Sequence, residues 1–106
     1  MPEALLLITT LPDHAAAVKL SRKLVETGLA ACVNIGAPVT SIYRWDNRMQ
    51  QGTEVILTIK TTRARYAALE QAITKGHPYE LPELIAVPIT AGLPDYLAWI
   101  DACTKD

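Results

Sequence analysis

The chain reads as an α+β protein whose elements run β-α-β-β-α-β with one helix appended. Three observations predict this. A short apolar run, Leu5–Ile8, gives way to a stretch with helical spacing. Two long extended runs flank Asp46-Asn47, a pair that tolerates positive φ and suits a two-residue hairpin turn. A second helical stretch leads to another strand-like run, Leu84–Ile89. At 106 residues the whole chain, 1–106, makes one domain.

The first strand is Leu5-Leu6-Leu7-Ile8, and Thr9-Thr10-Leu11-Pro12-Asp13 is expected to break it, with Asp13 as N-cap. From His14 to Thr27, Ala17, Leu20, Ser21, Leu24 and Val25 recur at helical spacing, and Gly28 supplies the C′ residue. Lys19, Arg22, Lys23 and Glu26 face water, as does His14 in the first turn.

The hairpin comes next, as Ala30–Trp45 and Arg48–Thr61. Gly36 and Pro38 predict a bulge or bend in its first arm. Beyond Pro38, Val39, Ser41, Tyr43 and Trp45 share one side, with Trp45 paired to Arg48 and Arg44 to Met49. Val55–Ile59 is apolar on both faces, so both should be covered.

Thr61-Thr62 can cap a second helix, with Tyr66, Leu69 and Ile73 on its buried side and Gly76 at its end. The loop His77-Pro78-Tyr79-Glu80-Leu81-Pro82-Glu83 is too rich in proline to be helical. Pro88 puts the final strand at an edge or a bulge. Pro94 opens the last helix, with Tyr96, Leu97, Trp99 and Ile100 supplying apolar contacts. Right-handed crossovers on one antiparallel sheet then give a ferredoxin-like βαββαβ sandwich.

The hairpin does not fit inside such a domain. About fourteen residues at ~3.3 Å each span roughly 45 Å. A compact chain of this length is only roughly 33 Å across. The tip must bend or overhang, and an uncovered overhang invites aggregation. A second copy of the chain is the expected cover.

A net charge of −1 gives no general pull toward nucleic acid or anionic membrane. No apolar run approaches the ~20 residues of a membrane span. Without a basic start and cleavage site near Met1, a cytoplasmic location is the expectation. The central strands carry no aromatic for stacking RNA bases, and phenylalanine is absent. GxGxxG, GxxxxGK[ST] and GxSxG are all missing, which argues against nucleotide-dependent and serine-hydrolase chemistry. Cys32 and Cys103 form no CxxC unit and read as buried free thiols.

Two clusters hold chemical interest. His77 has Glu80 and Glu83 close by, and imidazole with carboxylates suits copper or zinc. A metal site wants three or four ligands, however, and His77 can instead cap the preceding helix. Both readings stay open. The aromatic set Tyr43, Trp45, Tyr79, Tyr96 and Trp99 supplies either packing and interface anchors or, with Lys60 and Glu83, a pocket for a small molecule or anion.

Several blocks together resemble the divalent-cation-tolerance (CutA) family. They are Ala30-Ala31-Cys32-Val33-Asn34, Ser41-Ile42-Tyr43-Arg44-Trp45, Glu54 with Lys60-Thr61-Thr62, His77-Pro78-Tyr79 with Pro82-Glu83-Leu84, and Asp95-Tyr96-Leu97 with Trp99. They stand in that family's order and cover almost the whole chain. The resemblance implies a tight homotrimer, similar to the PII-type signalling trimers, in which hairpins reach neighbouring subunits. Tyr43, Arg44, Trp45 and Arg48 would then lie in the trimer interface. It also implies a non-catalytic protein that binds copper or similar divalent ions and needs no metal to fold. A PII-like small-molecule sensor and a scaffold for another protein are the alternatives. Some members have a cysteine where this chain has Thr9, and a histidine where it has Gly76. Only His77 remains of that set, so soft copper(I) affinity is expected to fall.

Overall fold

The computed structural model describes residues 2–105. They form β1 (Ala4–Leu11), α1 (His14–Glu26), β2 (Cys32–Trp45), β3 (Arg48–Thr62), α2 (Arg63–Gly76), β4 (Leu84–Pro88) and α3 (Pro94–Thr104). The strands make one antiparallel sheet in the order β2-β3-β1-β4. This is the ferredoxin-like α+β arrangement the element order predicts.

Local chemistry sets the boundaries. β1 runs past the expected break, because Thr9, Thr10 and Leu11 pair with Leu57, Ile56 and Val55. Threonine suits a pleated strand, and the strand ends only before Pro12, which has no N–H to donate. Asp13 caps α1, its carboxylate accepting from the Ala16 N–H at 2.8 Å. At the other end Gly28 takes φ 73°, and the N–H groups of Gly28 and Leu29 donate to the carbonyls of Val25 and Leu24. That is a Schellman stop.

Two expected caps work differently. Thr62 makes no side-chain bond at the start of α2, and the Thr61 hydroxyl instead donates to the Leu29 carbonyl. α2 ends at Gly76 with no positive φ there. His77 is held at ψ 135° because it precedes Pro78, which excludes helical backbone.

Side chains alternate along a strand, so β1 and β3 each bury one face under the helices. Leu5, Leu7, Leu11, Val55, Leu57 and Ile59 pack there against Leu20, Leu24, Leu69 and Ile73. Each such burial stabilises by about 1.5–3 kcal/mol before entropy is counted. Val25 is exposed, contrary to expectation, because it lies ~100° around the helix from Leu24 and outside the buried stripe. Tyr96 and Trp99 are also largely exposed, their rings tilted by 37° with centroids 5.4 Å apart, and Ile100 and Thr104 are the buried residues of α3. Neither cysteine is core: Cys103 is exposed and Cys32 half-buried.

The second sheet face is uncovered in the subunit. Leu6 pairs with Val87 and Ile8 with Ile85, and these four lie beside Ile56 on that face. Ile85 is 51% exposed and Val87 45%. Val55–Ile59 is therefore covered on one side only.

The hairpin is long, as its sequence predicts. Asp46 and Asn47 take φ 50° and 60°, a type I′ turn. Trp45 pairs with Arg48 and Arg44 with Met49. The register shifts between Ile35 and Pro38, so β2 carries its bulge at Gly36-Ala37. The molecule measures 44 × 25 × 23 Å, and the hairpin accounts for the long axis.

Candidate functional site

The His77–Glu83 loop crosses the end of β1 at the point where the hairpin leaves the sheet. The β1–β3 ladder ends at Leu11 and Val55, so Glu54 is the first β3 residue beyond it. Glu54 faces Val39, and Ser41 lies diagonally across on the same side. Glu54 is also the only carboxylate in β3.

Ser41 on β2, Thr10 on β1 and Tyr79 in the loop are the neighbours of that carboxylate. Burial works to raise the Glu54 carboxyl, but these polar neighbours outweigh it and hold Glu54 below the usual carboxylate range. The same contact acts oppositely on Tyr79. Burial, then the neighbouring Glu54 carboxylate and its negative charge, push the phenol up to about 12.

His77 sets the loop in place. Its ring is buried, and Nε2 lies 2.6 Å from the Thr10 carbonyl, which can only accept, so Nε2 carries a proton. Nδ1 accepts from the Tyr79 N–H at 3.1 Å. The His77 and Tyr79 rings sit 4.8 Å apart, tilted by 49°. His77 therefore neither caps the α2 carbonyls nor offers a free nitrogen to a metal.

Within one subunit the expected metal residues do not come together. The Glu80 and Glu83 side chains are exposed, and among the described residues no three His, Cys, Asp or Glu converge to hold an ion. Thr9 is fully buried, and its hydroxyl donates to the Glu83 carbonyl at 2.6 Å, so it too is unavailable as a ligand.

The expected pocket residues are likewise scattered. Tyr79 joins Glu54 and His77 at the end of β1. Lys60 pairs with Leu6 near the opposite end and donates to the Asn34 amide oxygen. Tyr96 and Trp99 lie against each other on α3, which borders Ala4 at the start of β1. Six strand residues, ~20 Å, separate Ala4 from Thr10. One subunit thus builds no pocket from this set. Tyr43, Arg44, Trp45 and Arg48 are all exposed on the hairpin.

Glu54, Thr10 and Ser41 carry the cluster and were not among the expected site residues. A lone carboxylate entering the Val55–Ile59 run is the signal that points to Glu54. Nothing local marks Thr10 or Ser41, since their role depends on strand register.

Comparison with known proteins agrees with this architecture. The family model described as CutA1 divalent ion tolerance protein matches residues 5–103. The divalent-cation tolerance protein CutA of Citrobacter koseri is 39% identical over 105 residues, 99% of this chain and 91% of that protein. Among solved structures, CutA1 from a psychrotrophic Shewanella superposes with a TM-score of 0.95 at 48% identity, covering 99% of this chain and 98% of that one. The CutA from Archaeoglobus fulgidus, described as periplasmic, gives 0.93 at 31% identity over 96% and 99%.

Proposed function

This chain belongs to the CutA1 family of divalent-ion tolerance proteins, and from that membership we propose that it works as a non-catalytic homotrimer that binds divalent cations. The observation that supports assembly is the two-faced exposure of the hairpin. Tyr43 and Trp45 are exposed on one side, at 48% and 40%, and Ile42 and Met49 on the other, at 66% and 80%. A ribbon apolar on both faces needs cover on both, and the open face of the sheet offers complementary apolar surface. A self-association that closes on itself covers both without leaving an aggregating edge. Light scattering should give about three times the 11.6 kDa chain mass. A single-chain mass would overturn the trimer.

Cation binding rests on the family and on the exposed carboxylates of Glu80 and Glu83. Because one chain converges no three ligands among its described residues, ions such as copper(II) or zinc would be held by sets that two chains complete together. Calorimetric titration with each metal tests this. The Glu80→Gln, Glu83→Gln double variant should bind more weakly, and an unchanged isotherm would remove the loop from the metal site. We place the protein in the cytoplasm, where the exposed Cys103 thiol stays reduced. Recovery from the periplasm on fractionation would overturn that placement.

A further inference from the structure

We propose that α3 is the seat for the hairpin tip of a second copy of this chain, with Trp45 lying on Tyr96 and Trp99, and Arg48 meeting Asp95. Of the 11 residues of α3, Ile100 and Thr104 are the buried ones, and only Asp95 and Asp101 are charged. A helix that is apolar around most of its circumference needs cover on more than one side. Leu93 at the N-cap, Tyr96 and Trp99 follow at three-residue spacing and are all exposed, so they form one stripe on the uncovered side. Asp95 stands one turn before Trp99 and flanks that stripe.

The tip is the counterpart in composition and charge. Tyr43 and Trp45 share one face of the ribbon, and Arg48 stands opposite Trp45 in the ladder. Among the described residues neither Arg48 nor Asp95 has an ionic partner in its own chain, whereas Asp101 is already paired with Lys105. The two surfaces are opposite in sign, and aromatic residues and arginine are the side chains enriched at interface cores. A chain cannot close this contact on itself. α3 borders Ala4 at the start of β1, and the ribbon leaves the sheet past Leu11 and Val55. The length of β1 and the overhang together put Trp45 roughly 40 Å from α3 of its own chain. A projection at one end and its seat at the other make the contact head-to-tail, the kind that closes a ring. The seat rests on the proposed trimer.

Charge reversal tests it, on the full chain at low ionic strength. By light scattering over a dilution series, Arg48→Asp and Asp95→Arg should each dissociate at about tenfold higher concentration than wild type, because each sets like charges against one another. The double variant restores opposite charges and should return to within about threefold of wild type. A second measurement uses Trp99 as the sole indole, in Trp45→Phe, which keeps an aromatic ring at the tip. Acrylamide quenching of Trp99 should rise about threefold as that assembly dissociates, since interface cores exclude water. Three results would overturn the seat and leave the trimer standing. They are an assembled wild type whose single reversals dissociate at the same concentration, a double variant no tighter than the singles, and Trp99 quenching equal in assembled and dissociated samples. A single-chain mass for the wild type would overturn the trimer and the seat with it.

Discussion

The Tyr79 phenol lies close to the Glu54 carboxylate across the junction where β3 parts from β1. Each partner changes the other's proton affinity, in opposite directions. Two pH dependences follow, one on either side of neutrality.

On the alkaline side, the folded chain keeps Tyr79 protonated up to about pH 12, against 10.0 for an ordinary tyrosine. Its folded value is the higher one, so its stability contribution is complete below pH 10 and is lost as pH rises toward 12. Absorbance at 295 nm should show a late phenolate step near pH 12 that Tyr79→Phe abolishes. Complete titration of all four tyrosines by about pH 10.5 would contradict the contact.

On the acid side the sign reverses. Glu54 is held below its ordinary value of 4.5, so its contribution is present above that value and is lost as pH falls through the lower folded one. Urea unfolding should show wild type about 1–2 kcal/mol more stable than Glu54→Gln at pH 7. The gap should close in strong acid. A gap independent of pH would mean that the carboxylate charge plays no part.

For His77 the structure separates two roles that composition cannot. Replacing it by Ala strands the Thr10 carbonyl and the Tyr79 N–H and leaves a cavity. His77→Ala should lose about 2–3 kcal/mol of stability. Its zinc and copper(II) affinities should stay close to those of wild type, because neither ring nitrogen is free in the folded subunit. Strong loss of metal binding with stability intact would reverse this assignment.

The contrast between Asp13 and Glu54 shows what sequence can carry. Asp13, Gly28, Asp46-Asn47 and Pro88 act through backbone chemistry within a few residues, so their caps, turn and edge are legible locally. Glu54 gains its role from Thr10, Ser41 and Tyr79, which are 44, 13 and 25 residues away. That convergence depends on the bulge and register of β2, which no local pattern encodes. β1 outran its expected end for a related reason, since pairing with Val55–Leu57 outweighs the polar look of Thr9-Thr10. His77 was visible as an unusual residue, but its two hydrogen-bond partners decide what it does.

The hairpin tip supplies the last prediction. Trp45 faces the same side as Tyr43 and pairs with Arg48 at the turn, far from any core contact. Removing its side chain takes little from the subunit, whose core lies between the helices and β1 and β3. In a trimer the same indole becomes a buried anchor, where truncation costs about 2 kcal/mol or more. Trp45→Ala should therefore dissociate on dilution well before wild type. Its melting temperature should depend more steeply on protein concentration, because folding and assembly are linked by mass action. Light scattering across a dilution series, paired with thermal melts at each concentration, reads both effects. A variant that stays assembled to the same dilution as wild type would put Trp45 in solvent and shift the interface to the open sheet face of Leu6, Ile8, Ile85 and Val87.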